Sequence, residues 1–218
     1  MFDLSVDLPA ELAPLAWLIG DWEGTGVMAY RVGDEAHERE FGQRVAFSHD
    51  GTPYLQYSCA AWLLDESDGE ATAETGAEPG APGGAPHPRH LFAETGYWRL
   101  SRPLGDADNG PAMLPGTGEP VFQTAEAVET LRGDGGGFDI EALLVQPGGV
   151  SELYLGTITG PRIDLATDAV LRSATAKPYA AATRMYGLVE NHLLWAWDIA
   201  ALGQDLRTHA SGRLGRVE

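Results

Sequence analysis

The sequence predicts an all-β protein: an antiparallel up-and-down β-barrel of about ten strands, calycin-like, behind a short N-terminal helix. Three observations predict it. A short apolar helical stretch runs into Gly20-Asp-Trp22-Glu-Gly24-Thr-Gly26. A tryptophan among closely spaced glycines suits the point where a chain enters a small barrel, the indole plugging one end while glycines let the backbone bend and approach its neighbours. Beyond that point the apolar period falls from about 3.6 to 2, the spacing of half-buried strands. The alternating segments number about nine or ten, enough to close a barrel and remove exposed edges.

Asp7-Leu-Pro9, followed by Glu11, Leu12, Leu15 and Trp17, reads as a capped helix with Pro9 in its first turn and Asp7 placed to accept early amides. Phe41, Gln43, Val45 and Phe47 then alternate with Gly42, Arg44 and Ala46, and Leu55, Tyr57, Cys59, Ala61 and Leu63 share one face of the next run. Asp50-Gly51 between them is a hairpin signal. Residues 65–89 are Gly, Pro, Ala and acids with almost no apolar anchor, and predict a disordered surface loop. The strand pattern resumes at His90 to Leu100 and breaks over 103–119, a second insertion of the same kind. Closure entropy grows only logarithmically with loop length, so both insertions cost little stability. Further strands are predicted at 138–145, 150–158, 162–167, 169–174, 183–190, 192–199 and around 206–209. Compact turns at Gln146-Pro-Gly-Gly149, Thr159-Gly160-Pro161 and Glu190-Asn191 join several of them. No division into two self-sufficient apolar sets is visible, so residues 1–218 read as one barrel domain.

Composition narrows the function. The formal charge of −18, from 32 acids against 14 bases, repels phosphate backbones and anionic headgroups, so neither nucleic acid nor membrane is an expected partner. No apolar run approaches membrane-helix length and no basic start precedes an apolar segment, which predicts a soluble cytoplasmic protein. Cys59 is the only cysteine and reads as a small buried strand residue. Lys177 is the only lysine, the other basic residues being arginines. No pair of histidines has zinc-site spacing, and Gly133-Asp-Gly-Gly-Gly137 lacks the Gly-Lys-Ser/Thr of a phosphate loop. Trp195 and Trp197 share a strand face and read as barrel filling.

The Gly20, Trp22, Gly24, Gly26 motif, with Ala93-Glu94-Thr95-Gly96-Tyr97, Thr175-Ala176-Lys177 and Gly203-Gln204-Asp-Leu206-Arg-Thr-His209, resembles the nitrobindin family. These are haem-binding ten-stranded barrels related in shape to fatty-acid-binding proteins, and the four segments occur in the family's order across most of the chain. The resemblance implies one haem b per chain, with His209 as axial iron ligand and Lys177 near the haem, able to pair with a propionate. It implies isomerisation of peroxynitrite to nitrate and binding of nitric oxide at the ferric iron, by a monomer or homodimer. Two departures matter. Phe92 stands where many members carry a distal-side histidine, and Val27-Met-Ala-Tyr30-Arg-Val replaces the family's Pro-Thr-Ile segment. Both match a nitrobindin-like branch whose members often lack the axial histidine, whereas this chain keeps one. In a regular last strand His209 shares a face with Asp205 and Arg207, so periodicity does not aim it at an apolar pocket. The alternative reading is a haem-free, fatty-acid-binding-protein-like carrier of a hydrophobic small molecule.

Overall fold

A computed structural model describes residues 8–32, 35–64, 89–201 and 206–217. Leu12, Leu15 and Leu18 recur at every third position, the repeat of a 3-10 helix. Ala10–Leu18 is such a helix, with those three leucines fully buried. The side-chain cap predicted for it is not at the cap position, which Pro9 occupies without a side-chain hydrogen bond; Asp7 lies outside the described residues.

Ten strands follow: β1 (Gly20–Val32), β2 (Glu35–Ser48), β3 (Leu55–Leu63), β4 (His90–Leu100), β5 (Phe138–Gln146), β6 (Val150–Thr159), β7 (Arg162–Arg172), β8 (Tyr179–Val189), β9 (His192–Ala201) and β10 (Arg207–Arg216). Each pairs antiparallel with the next, and β1 closes on β10 from Trp22↔Arg216 to Met28↔Ala210. The predicted ten-stranded antiparallel barrel is therefore the fold. No helix among the described residues is long and apolar enough to cross a membrane.

Local differences from the sequence reading have physical causes. The segments predicted as two strands at 162–167 and 169–174 form the single strand β7, because Asp168 is an extra residue in the β6–β7 ladder, with Leu153 opposite Ala169 and Tyr154 opposite Thr167. That is a bulge, not a turn. β8 begins earlier than predicted, at Tyr179, and β10 continues past His209 to Arg216. The predicted loop at 65–89 falls, apart from Arg89, outside the described residues. In the stretch 103–119, Asp108 accepts two bonds at 2.8 Å from Arg102, which also grips Glu11 of the 3-10 helix at 2.6 and 3.0 Å. This fork, with the Gly105 amide, holds the Asp108 carboxyl down at about 2. A five-residue helix, α1 (Ala125–Glu129), capped by Thr124, covers the same end of the barrel.

The 3-10 helix closes the end where β1, β3, β5, β7 and β9 start. There Trp22 is fully buried, its indole N–H donating to the Leu18 carbonyl at 2.7 Å. Arg216 lies 4.2 Å over the ring and donates to the carbonyls of Trp17 and Ile19. Gly20 enters β1 at φ +127°, a conformation L side chains rarely adopt. At Gly26 an added Cβ would run into the Ser211 carbonyl and the Phe41 ring. Above this end, Phe47, Tyr57, Trp98 and Tyr186 interlock as tilted and edge-to-face pairs with centroids 5.0–5.9 Å apart.

One seam is thinner than the rest. β7 and β8 pair only between Arg162–Ala166 and Thr183–Gly187. Beyond that, the Thr167 hydroxyl stands in for the ladder, accepting from the Ala182 amide at 3.0 Å and donating to its carbonyl at 3.3 Å.

Trp22→Ala removes a fully buried indole that holds the 3-10 helix to the barrel. The expected loss is about 3–5 kcal/mol in urea unfolding, and a variant as stable as wild type would show that the barrel does not depend on this plug.

Candidate functional site

Inward-facing residues leave a cavity of about 260 Å³ at the opposite end, where β2, β4, β6, β8 and β10 begin. Its wall toward that end is apolar and aromatic, built from Met28, Phe41, Leu91, Phe92, Trp195 and Trp197. Phe92 packs on Trp197 with centroids 5.3 Å apart, and Phe41 on Trp195 at 6.0 Å.

His209 lines this cavity because β10 is bulged. Thr208 pairs with Asp198 and Ala210 with Trp197, so His209 is an extra residue without a partner on β9. Ala210 and Leu214 are the buried, inward positions of the strand, and unbroken alternation would turn His209 outward with Arg207. The bulge instead brings His209 and Ala210 together onto the cavity wall. The half-buried imidazole meets Trp197 edge-on, centroids 5.9 Å apart at 84°. Burial pushes its pKa below the ordinary value of 6.5, aided by Arg207 and opposed by a hydrogen bond to the Ala29 backbone. The lowered pKa favours the neutral ring at pH 7, the form that can offer a nitrogen lone pair to a ligand.

Lys177 stands apart from this wall. It is exposed in the β7–β8 connection at the same end, and its carbonyl accepts from Arg172 at 3.3 Å. Gly203, Gln204 and Asp205 lie outside the described residues. Trp195 and Trp197 line the cavity as predicted barrel filling. Among the described histidines only His209 borders it: His37 stacks on Tyr30, His192 contacts Arg213, and His49 accepts from the Gly51 amide. No cluster of three or more potential metal-ligating side chains exists among the described residues.

The cavity floor is polar and was not assigned from sequence. Arg184 forks onto Glu94 at 2.5 and 2.8 Å, and Tyr57 donates to the same carboxylate at 2.8 Å. Arg184 also donates to the Tyr154 hydroxyl at 3.0 Å and lies 4.3 Å over Trp197. Glu152 receives Tyr154 at 2.5 Å, Tyr179 at 2.6 Å and Gln146 at 2.8 Å. Burial opposes the Arg184 charge, but Glu94 more than offsets it and raises its pKa above the ordinary value. Burial pushes the Cys59 thiol up to about 12, so the lone cysteine stays protonated. The available sequence signal was parity: Glu94 is in phase with Phe92 and Trp98, Arg184 with Ala182 and Tyr186, all inward positions.

These residues suit a flat apolar macrocycle carrying a metal. The cavity offers aromatic walls, one neutral imidazole, and unpartnered buried donors at the Trp195 and Trp197 indole nitrogens. Its volume falls below the roughly 300–1,000 Å³ of pockets that enclose a drug-sized ligand, so a porphyrin-sized guest would not be wholly enclosed.

Comparison with known proteins agrees. The THAP4-like, heme-binding beta-barrel domain family matches residues 11–216. A protein of Leifsonia xyli subsp. xyli named peroxynitrite isomerase is 61% identical over 218 residues, covering 100% of both chains. Its namesake in Clavibacter michiganensis subsp. michiganensis is 58% identical over 218 residues, again covering 100% of each. The crystal structure of Rv2717c from M. tuberculosis superposes with a TM-score of 0.63 at 24% identity, covering 97% of this chain and 99% of that one, and shares the fold.

The buried pair makes a stability test. Glu94→Ala strands the Arg184 guanidinium and is expected to cost about 3–5 kcal/mol in denaturant unfolding, whereas Glu94→Leu with Arg184→Met recovers at least half of that. Equal losses in the single and double variants would mean that the pair's packing, and not its charge, is what matters.

Proposed function

The chain belongs to the THAP4-like, haem-binding β-barrel family, and from that premise we propose that it isomerises peroxynitrite to nitrate and binds nitric oxide at a ferric haem b, one per chain. The relatives that cover its whole length carry the name peroxynitrite isomerase. The observation that carries the reading to this chain's own residues is the β10 bulge, which turns a neutral His209 into an apolar cleft.

His209 is the proposed axial ligand. Haem held there would supply a ferric iron able to bind small nitrogen oxides and to assist rearrangement of peroxynitrite. The protein's part is binding and orientation. The Trp197 edge packs against the His209 ring, and a hydrogen bond to the Ala29 backbone would help to orient it. Phe41, Leu91 and Phe92 make the cavity wall toward the mouth largely apolar, which limits the entry of water. Lys177, exposed at the same end, is assigned to a propionate at the mouth. The proposal includes a cytoplasmic setting, which suits a single unpaired cysteine, and a monomer or homodimer.

The alternative, a haem-free carrier, meets an obstacle where the cargo is an anionic lipid. Among the described residues Arg184 is the only Lys or Arg bordering the cavity, and Glu94 already occupies its fork.

Haem titration followed at the Soret band tests the reading. Wild type is expected to bind with a histidine-ligated ferric spectrum, and His209→Ala to lose at least tenfold in affinity with unchanged far-UV circular dichroism. Identical spectra and affinity in the variant, or no haem binding by wild type, would overturn it. The pH dependence follows from the depressed His209 pKa: affinity should be flat from pH 8 down past about 6.5 and then fall roughly tenfold per pH unit once protons compete for the ring. A fall that begins above pH 7 points to a different ligand.

A further inference from the structure

Met28 borders the cavity, and it comes from the Val27-Met-Ala-Tyr30-Arg-Val stretch in which the chain departs from its family's Pro-Thr-Ile segment. On β1 it stands opposite Ala210, the residue after His209. Its half-buried side chain packs with Leu91, Phe92 and Trp195 against Phe41, Ala61 and Ala210, so it belongs to the apolar wall at the mouth. Among the described residues it is the only sulfur side chain bordering the cavity. Cys59 does not border it, and burial keeps that thiol protonated and so a poor nucleophile. The other described methionines lie away from the cleft: Met113 is 96% exposed in the segment after β4, and Met185 is 40% exposed between the inward-facing Arg184 and Tyr186. A thioether needs no deprotonation before it can be oxidised, so access alone decides whether Met28 reacts.

We propose that Met28 is an oxidative modification site of the cleft, where peroxynitrite is reduced to nitrite and the sulfoxide left behind weakens guest binding. The proposal rests on the reading above that peroxynitrite enters this cavity. A sulfur lone pair attacks the terminal peroxo oxygen, the O–O bond breaks and an S–O bond forms. Sulfur gives up two electrons, peroxynitrite takes them, and nitrite leaves with the negative charge. No proton and no further reductant is consumed. Each Met28 removes one peroxynitrite, so the step is a modification and not a turnover. Sulfoxidation converts a flexible apolar side chain into a polar one. Here the new oxygen enters the wall formed with Phe41, Leu91 and Phe92, beside the strand position that carries His209. A polar group in that wall disfavours an apolar guest, until a methionine sulfoxide reductase restores the thioether.

The first arm of the test needs no haem. Apo wild type is treated with an equimolar dose of peroxynitrite, and sulfoxide is mapped by peptide mass spectrometry with the exposed Met113 as internal standard. Although half-buried, Met28 is expected to oxidise within about fivefold of the Met113 rate, because the cavity gives the oxidant access to it. A larger lag overturns the proposal. The second arm uses a Met113→Leu, Met185→Leu background, in which adding Met28→Leu should lower the nitrite formed per peroxynitrite by about twofold or more. An unchanged nitrite yield overturns it. In the third arm haem is titrated into the background protein before and after oxidation: affinity should fall roughly fivefold, and by less than about twofold once Met28→Leu is added. A Met28 sulfoxide protein that binds haem as before overturns the effect on guest binding. The first arm uses wild type alone and decides the matter should a variant fail to fold. Failure of wild type to bind haem removes the proposed function and leaves the sulfoxide map and the nitrite yield to judge Met28, whereas nitrate formation with Met28 unoxidised keeps that function and removes this site.

Discussion

Closure of β1 on β10 is the constraint on which the rest of the structure depends. It removes the last free edge from the ring, and it sets where the site begins. The β1–β10 register ends at Met28↔Ala210, next to the bulge, so β10 continues toward the mouth paired to β9 alone. β1 meanwhile continues on β2. Ala29, released from any strand partner on the β10 side, is the residue whose backbone takes the His209 ring. The end of one ladder thus coincides with the bulge that brings the imidazole onto the cavity wall.

Below that point the barrel carries a polar cluster that a simple hydrophobic core would not need. Replacing such buried ion pairs with apolar residues is often neutral or stabilising, so stability alone is weak reason for their presence. Their position is informative instead. Arg184 lies over Trp197, and Trp197 packs edge-on against His209, so the charged floor and the imidazole are linked through one indole.

Much of the architecture was legible in the sequence because period-2 alternation is a direct consequence of strand geometry. A short N-terminal helix was visible in Leu12, Leu15 and Trp17, and the barrel plug in Trp22 among its glycines, but the helix read with a period of about 3.6 and is a 3-10 helix, with Leu12, Leu15 and Leu18 at every third position. Bulges were not legible. One extra residue shifts the phase without changing composition, which is why Asp168 read as a break between strands and why periodicity did not aim His209 at a pocket. The resemblance chose His209; only the register explains how a strand delivers it. Arg184 and Glu152 escaped notice because a lone charge inside an alternating run looks like the solvent face until its parity is counted. Lys177, picked out by its motif, sits at the mouth but off the cavity wall.

The thin seam between β7 and β8 has a mechanical consequence. A closed ring of strands can widen only if some ladder yields, and strain concentrates where the fewest bonds resist it. From Thr167 onward that seam is held by one hydroxyl acting as both donor and acceptor to Ala182. It lies on the same end of the barrel as His209 and the aromatic wall. Like the gap in a piston ring, it is the point at which an otherwise continuous hoop has the fewest ladder pairs to resist widening.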